Sequence, residues 1–252
     1  TIGGREIFYA EAGSGPAVLL LHGGGPGASG VSNFSRNIDA LARDFRVVVP
    51  DLPGYGRSAK GVDGSDPFGF LANSIRGLMN ELGIGAAHPV GNSYGGACAL
   101  RLALDTPDRV EKLVLMGPGG IGTTRALPTE GLGKLFDYYS GQGPSREKLE
   151  TFIREYLVFD GDAVDDSVIE SRYLSSIDPE VVASPPLRRP SGPMALRILW
   201  RMDLTRDRRL ARLATPTLVV WGAADRVNRP AGGQMLARIM PHCDLLLAAN
   251  AG

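Results

Sequence analysis

Residues 88–100 read HPVGNSYGGACAL, the stretch from which the fold is most directly predicted. An apolar strand runs into the turn Gly91-Asn92-Ser93-Tyr94-Gly95, and the residues that follow have the composition of a helix. Alone, G-x-S-x-G fits an ordinary glycine-rich turn equally well, but between a strand and a helix it is typical of a nucleophile elbow. The turn needs glycines because a Cβ at either flank would crowd the neighbouring strand or helix. Ser93 is therefore the candidate nucleophile, with helix amide groups beneath its hydroxyl.

Apolar strands alternate with amphipathic helices on both sides of this turn. The continuous apolar run AVLLL at 17–21 indicates a central strand covered on both faces. This alternation predicts an α/β fold with a mostly parallel sheet and right-handed crossovers. In such sheets the ligand site lies beyond the carboxyl ends of the strands. Further strands are predicted at 5–11, 45–50, 110–116, 217–221 and 244–248, and helices at 33–44, 70–82 and 230–240.

Residues 121 to about 208 interrupt the alternation. This segment is helical in pattern, as in REKLETFIREYL at 146–157, and several prolines divide it. We interpret residues 123–208 as a helical cap (lid) inserted into an α/β core that residues 1–122 and 209–252 form.

The composition excludes several classes of function. Lysine plus arginine and aspartate plus glutamate both number 27, so no net charge favours nucleic acid or an anionic membrane as a partner. No apolar run reaches the length of a membrane span. The cysteines, Cys98 and Cys243, are most simply interpreted as reduced thiols, which indicates a cytoplasmic protein. The three histidines do not cluster, so no metal site is predicted.

Two other loops follow predicted strands and carry candidate site residues. The glycine-dense loop HGGGPG at 22–27 can point backbone N–H groups into a site, although a flexible turn is the simpler alternative. A serine nucleophile needs a base, and the base needs an acid that orients it. In the order Ser, Asp, His, the acid after Ser93 is Asp225, which follows the strand at 217–221. A solvated turn aspartate is equally compatible with that position.

Four motifs together resemble a known family. They are HGGGPGASG at 22–30, GNSYGG at 91–96, LMGPGG at 115–120 and WGAADRV at 221–227. The chain resembles the α/β-hydrolase fold and, more narrowly, the meta-cleavage product hydrolases, which hydrolyse a C–C bond in ring-opened aromatic or steroid catabolites. HGGGPG followed by SNFSRN at 32–37 is more specific than the general signature of the fold. The resemblance covers nearly the whole chain and weakens in the second half of the cap.

The resemblance implies a catalytic role for five residues. Ser93 would be the nucleophile or would activate it, and Asp225 would be the acid of a Ser-His-Asp triad. The N–H groups of Gly25 and Tyr94 would form the oxyanion hole, and Gly24 would shape its loop.

The resemblance also implies a site for the dienoate end of the substrate. Asn33, Asn92 and Arg172 would hold this end, with Arg172 facing the substrate carboxylate from the cap. Arginine suits the task because its planar fork can bind a carboxylate through two hydrogen bonds. Without the resemblance, Arg172 is more simply interpreted as a solvated cap residue.

The histidine of the triad is the point at which the chain departs from the family. In the family it follows the last core strand in a Gly-His-Trp motif, whereas this chain reads AANAG up to Gly252. His22 begins the glycine loop, His88 lies on the strand below Ser93, and His242 precedes the final strand, so none suits the role of base. We therefore expect a fragment whose catalytic histidine would follow Gly252, and which binds substrate better than it turns it over.

The expected activity is hydrolysis of a C–C bond in compounds of the 2-hydroxy-6-oxo-hexa-2,4-dienoate type. The expected partner is this small molecule, no cofactor is needed, and the preferred acyl group stays open. An ordinary carboxylesterase or a prolyl aminopeptidase is one alternative, since that oxyanion loop also contains G-G-P-G. A non-catalytic binding protein on the same fold is another, which the missing histidine would permit. Members of the family are commonly oligomeric, so the resemblance also allows a homo-oligomer.

Overall fold

The computed structural model describes residues 1–252 and contains one sheet of seven strands. In chain order the strands are β1 (Tyr9–Ala12), β2 (Ala17–Leu21), β3 (Arg46–Pro50), β4 (His88–Asn92), β5 (Leu113–Met116), β6 (Thr217–Gly222) and β7 (Cys243–Ala248). Across the sheet their order is β1-β3-β2-β4-β5-β6-β7. Only β1, which pairs with β3, is antiparallel to its neighbour. The predicted α/β fold with a mostly parallel sheet is confirmed.

The first strand is shorter than the predicted span of residues 5–11. The carbonyl of Glu6 accepts from the N–H of Ala59, in the loop after β3. The N–H of Phe8 donates to the Ser58 hydroxyl in the same loop (3.0 Å). The start of the predicted strand therefore bonds to a loop, and the ladder with β3 begins only after it.

Four helices accompany the strands, and five lie between β5 and β6. The first group contains α1 (Gly30–Leu41), α2 (Pro67–Glu81), α3 (Tyr94–Asp105) and α9 (Ala231–Ile239); the second contains α4 (Glu130–Asp137), α5 (Arg146–Thr151), α6 (Asp166–Ser176), α7 (Pro179–Ala183) and α8 (Ala195–Met202). The helix predicted at 146–157 changes after α5 into a π-helical segment, Phe152–Leu157. No helix is both long and apolar enough to cross a membrane.

The sheet is covered on both faces. All five residues of β2 are buried, as the run AVLLL predicts. Val18 and Leu20 pack on one face with Phe34 of α1, whereas Leu19 and Leu21 belong to a larger cluster on the other face. Burying one valine or leucine side chain stabilises a fold by roughly 1.5–3 kcal/mol, so β2 anchors the loop that follows it.

The segment between β5 and β6 contains helices and no strand. Its helices form a small apolar cluster of their own, which includes Leu135, Phe152 and Ile169. Val227, in the loop after β6, joins this cluster and links the segment to the sheet. That this segment, here called the cap, forms a separate domain over residues 123–208 stays a prediction.

One buried carboxylate ties the two ends of the cap together. Asp203 is 1% exposed and accepts from the N–H groups of Gly122 (3.1 Å) and Thr124 (2.9 Å), at the beginning of the cap. The hydroxyls of Thr124 (2.6 Å) and Thr205 (2.5 Å) donate to the same carboxylate. Burial alone would raise the pKa of Asp203, but these hydrogen bonds outweigh burial and hold the pKa below its ordinary value.

Candidate active site

Ser93 occupies a strained turn between β4 and α3. Its φ is 49°, in the left-handed region that residues other than glycine rarely adopt. Glycines make this turn possible, because a Cβ at Gly95 would collide with the carbonyl of Leu21, and one at Gly91 would collide with the carbonyl of Gly95. The N–H of Gly119, after β5, donates to the Ser93 carbonyl (2.8 Å). Contacts with the strands on both sides thus hold Ser93 in its turn.

His22 fixes the glycine loop that follows β2. Its Nδ1–H donates to the carbonyl of Gly23 (2.8 Å), and its Nε2 accepts from the N–H of Leu52 (2.9 Å). Burial lowers the pKa of His22 to about 4, although the Gly23 carbonyl and Asp51 act in the opposite direction. The imidazole is therefore neutral with both nitrogens occupied, and it holds two loops together.

Two backbone N–H groups beside the elbow have no acceptor within the protein. They belong to Gly25, in the glycine loop, and to Tyr94, the first residue of α3. Gly24 packs against the Tyr94 side chain, where a Cβ would approach to 3.0 Å. The Tyr55 hydroxyl donates to the Gly24 carbonyl (3.0 Å) and fixes that peptide. Two free donors of this kind can stabilise a negatively charged oxygen.

Asn33 and Asn92 meet at the start of the glycine loop. The Asn33 Oδ1 accepts from the N–H of Gly23 (3.3 Å), while its Nδ2 donates to the Ser29 carbonyl (3.2 Å). A Cβ placed on Gly23 would lie 3.4 Å from the Asn92 Nδ2 and 3.7 Å from the Ser93 Cβ. Both asparagines thus lie next to the candidate nucleophile, and the amide of Asn92 has no hydrogen-bond partner.

Arg172, on α6, brings a positive charge from the cap to the glycine loop. Its Nε donates to the carbonyl of Pro26 (3.1 Å), and a Cβ on Gly25 would lie only 2.5 Å from its Nη2. No carboxylate bonds to this guanidinium. Burial lowers the pKa of Arg172 to about 10, although nearby tyrosines, Tyr55 foremost, act in the opposite direction. An unpaired, half-buried cation of this kind favours the binding of an anion.

Asp225 lies in the loop after β6 with its carboxylate held by three donors. Oδ1 accepts from the N–H groups of Val227 and Asn228 (both 2.8 Å), and Oδ2 accepts from the Trp221 Nε1 (3.1 Å). Burial outweighs these hydrogen bonds and raises the pKa of Asp225. A Cβ on Gly117, after β5, would lie 3.2 Å from Oδ2, so the carboxylate faces the ends of the central strands.

Asn228 is a site residue that the sequence did not reveal. Its Nδ2 donates to the Ser93 Oγ (3.3 Å) and to the carbonyl of Gly117 (3.0 Å), while its own N–H binds Asp225. It therefore bridges the loops after β4, β5 and β6. The only signal in the sequence is its place three residues after the candidate acid, in a loop that follows a strand.

Comparison with known proteins agrees with this geometry. Residues 16–252 match the model of a family described as alpha/beta hydrolase fold. The chain belongs to this family. A curated relative of this α/β hydrolase is 2-hydroxy-6-oxo-6-phenylhexa-2,4-dienoate hydrolase from Burkholderia cepacia, which is 37% identical over 98% of the chain and 84% of the relative.

Two further comparisons point to the same group of α/β hydrolases. The 2-hydroxy-6-oxononadienedioate/2-hydroxy-6-oxononatrienedioate hydrolase from Comamonas testosteroni is also 37% identical, with the same coverage of both chains. A solved meta-cleavage product hydrolase from Pseudomonas fluorescens has a TM-score of 0.85 and 30% identity, over 100% of this chain and 88% of that one. The resemblance seen in the four motifs is thus confirmed.

None of the three histidines of this α/β hydrolase contacts Ser93. His22 has both nitrogens engaged in the glycine loop, and His88, at the start of β4, pairs with Glu111 (3.3 Å). His242 precedes β7 at the amino ends of the strands, whereas Ser93 and Asp225 follow carboxyl ends.

The last residues described lie beside Asp225. The Ala224 N–H donates to the carbonyl of Ala251 (2.9 Å), and a Cβ on Gly252 would lie 2.7 Å from the Asp225 nitrogen. The expectation that a catalytic histidine follows Gly252 stays a prediction.

A cavity of about 130 Å³ opens next to Ser93 on the side of the cap and the β6 loop. Its wall is mainly apolar, as Ile121, Leu132 and Val227 illustrate. The wall does not include Arg172, which contacts the glycine loop instead. Ser93 therefore borders an apolar cavity, and the glycine loop beside it carries an unpaired cation.

Proposed function

We propose that this α/β hydrolase cleaves a C–C bond in meta-cleavage products of the 2-hydroxy-6-oxo-hexa-2,4-dienoate type. The observation that carries the proposal is the unpaired, half-buried guanidinium of Arg172 against Gly25. An ordinary esterase needs no cation there, whereas a substrate with a carboxylate at one end and a ketone near the other needs both this charge and Ser93. The names of both curated relatives agree, since each acts on such a dienoate.

The substrate would lie across the elbow. Arg172 would bind its carboxylate, with Asn33 and Asn92 beside the 2-hydroxyl, and its 6-keto carbonyl would lie over Ser93. The N–H groups of Gly25 and Tyr94 would then stabilise the oxygen that becomes negative, by about 2.7–4 kcal/mol for each donor. The cap, residues 123–208, would cover the substrate, because Arg172 and part of the cavity wall belong to it.

The reaction balances with water as the only other reactant. Ketonisation moves the 2-hydroxyl proton to C5, so that the C5–C6 bond lies within reach of an electron sink. Attack on C6 with the help of Ser93, a general base and Asp225 gives a tetrahedral species. When the C5–C6 bond breaks, its electron pair enters the dienolate, which takes up a proton. The products are a 2-hydroxydienoate and a carboxylic acid, and no cofactor takes part.

The test uses protein expressed from its complete coding sequence. We expect rapid loss of the coloured dienolate of 2-hydroxy-6-oxo-6-phenylhexa-2,4-dienoate, and loss of that activity in Ser93→Ala. Arg172→Gln should lower kcat/KM for the dienoate by about 100-fold or more, because a bidentate charged contact is lost. Hydrolysis of p-nitrophenyl acetate, which has no carboxylate, should change less than tenfold.

The same assay separates the alternatives. Equal losses for dienoate and ester in Arg172→Gln would favour a carboxylesterase. Tight binding of the dienoate without turnover would favour a non-catalytic binding protein. We expect the enzyme to act in the cytoplasm, since Cys98 and Cys243 are both free thiols. Whether it forms a homo-oligomer stays a prediction.

A further inference from the structure

The cavity beside Ser93 has a wall without a buried charge. Apolar side chains from the cap and from the sheet side form most of it, among them Phe68, Ile121, Leu132, Phe136 and Leu199. Its volume of about 130 Å³ is similar to the roughly 150 Å³ of an apolar cavity that stays dry and binds benzene. The cavity therefore has room for at least one ring or a branched alkyl group.

The polar groups of this wall are largely occupied by other partners. The Asn228 Nδ2 binds the Ser93 Oγ and the Gly117 carbonyl, and the Thr129 hydroxyl donates to the carbonyl of Val227 (2.7 Å). The hydroxyls of Tyr94 and Thr123, two residues of the wall, are buried without a partner, but both are uncharged. The wall therefore contains no buried cation that could bind a second carboxylate of the substrate.

Arg229 is the one charged residue that reaches this wall. Its side chain is exposed to solvent, and its Nη2 donates to the carbonyl of Leu127 (3.1 Å), which itself is 84% exposed. A carboxylate bound to Arg229 would therefore lie at the rim and leave the apolar interior unfilled. A carboxylate inside the cavity would lose its hydration without gaining a paired cation.

From these contacts we infer that the acyl portion of the substrate is uncharged and mainly apolar. The inference rests on the proposed function and names the half of the substrate that the dienoate site does not hold. Sequence identity does not distinguish an apolar acyl group from a charged one, because the phenyl-dienoate hydrolase and the nonadienedioate hydrolase are both 37% identical to the chain. The neutral, apolar cavity favours a group such as phenyl over a carboxyethyl group.

The test compares two substrates on protein expressed from its complete coding sequence. We expect kcat/KM for 2-hydroxy-6-oxo-6-phenylhexa-2,4-dienoate to exceed that for 2-hydroxy-6-oxononadienedioate by about 100-fold or more, the order expected when a carboxylate is desolvated without a partner. Arg229→Gln should keep this preference. Equal or better use of the dioate, especially if Arg229→Gln abolishes it, would overturn the inference and leave the proposed function intact.

A binding measurement keeps the inference testable apart from turnover. Benzene should raise the Tm of the wild-type protein, and Leu132→Trp, which fills the cavity, should remove this shift. The matched control is Leu196→Trp, at a residue of α8 that is 82% exposed and outside the cavity wall. Benzene stabilisation without turnover of either dienoate would remove the proposed function and still support an uncharged apolar site. Absence of benzene stabilisation together with absence of turnover would overturn both.

Discussion

At the scale of single residues, Asn228 has a side chain that contacts Ser93, the candidate nucleophile. Its amide donates to the Ser93 Oγ, so it favours negative charge on that oxygen and fixes its position. Asn228→Ala should lower kcat for the dienoate by about ten- to hundredfold with little change in KM, since hydrogen bonds to charged groups contribute about 1.5–3 kcal/mol. Steady-state kinetics with protein from the complete coding sequence measure both constants.

The control for Asn228 is an anchor of the same loop that does not contact Ser93. The Thr129 hydroxyl donates to the carbonyl of Val227 (2.7 Å), next to Asn228 in sequence. Thr129→Val keeps the shape of this cavity-wall residue but removes the anchor and the bond from the Leu132 N–H (3.1 Å), so it should affect thermal stability more than kcat. If both variants lose the same activity, Asn228 acts only by holding the loop.

A second single residue, His22, should govern acid sensitivity. Its pKa in the folded protein is about 4, below the ordinary value of 6.5. Above pH 6.5 the imidazole of His22 is neutral in both the folded and the unfolded state. As the pH falls below 6.5, only the unfolded state takes up the proton, so stability is lost until about pH 4, by up to about 3 kcal/mol.

Urea unfolding between pH 4 and pH 7 measures this loss. In His22→Gln the protein should be less stable at pH 7, but its stability should depend less on pH over this range. The matched control is His242→Gln, at an exposed histidine that lies at the opposite edge of the sheet from the glycine loop. An unchanged pH dependence in His22→Gln would show that other groups cause the acid sensitivity.

At the scale of elements, local patterns predicted the sheet well. Neighbouring residues determine the structure of the run AVLLL at 17–21 and of the elbow motif. The structure has β2 at the first and the predicted turn at Ser93. Residues 5–8 show the limit, because they alternate as a strand does, whereas Glu6 and Phe8 bond to a loop about 50 residues away. The pattern of apolar and polar residues indicates which side chains are buried, but it does not indicate which backbone groups form the hydrogen bonds.

The contacts between distant elements could not be predicted in this way. Asp203 binds Gly122 and Thr124, about 80 residues earlier, and nothing in its own neighbourhood indicates this. Asn228 reaches Ser93 across 135 residues. The candidate residues Arg172 and Asn33 came from resemblance to a family, since their own surroundings in the sequence favour solvated or helical positions.

Asp203 yields a prediction about the elements that it joins. Asp203→Asn keeps the shape of the side chain but replaces one carboxylate oxygen by an amide NH₂. The buried donors that faced this oxygen then lose their acceptor. The free energy of unfolding should fall by about 2–4 kcal/mol, measured by urea denaturation. Asp207→Asn, which weakens an exposed pair with Arg209 (2.6 Å), should cost less than about 1 kcal/mol. A small effect of Asp203→Asn would mean that the cap ends are held by other contacts.

At the scale of the whole molecule, a ligand should join the cap to the sheet. Arg172 comes from α6 of the cap, and the loop that it contacts, at Pro26, follows a central strand. A dienoate bound between them would pair a cation that otherwise has no anion. Binding would therefore stabilise the folded protein as well as orient the substrate.

Thermal unfolding of the Ser93→Ala variant tests this coupling without turnover. At a dienoate concentration of 100 times Kd, binding contributes about 2.7 kcal/mol, which for a chain of this length corresponds to a rise in Tm of about 5–10 °C. Adding Arg172→Gln, which should weaken binding about 100-fold or more, should reduce the rise to about 1–2 °C or less at the same concentration. Adding Arg188→Gln should not, because Arg188 is an exposed cap arginine whose contact is the carbonyl of Ala183 (3.1 Å). A full rise with Arg172→Gln would show that the substrate carboxylate binds elsewhere.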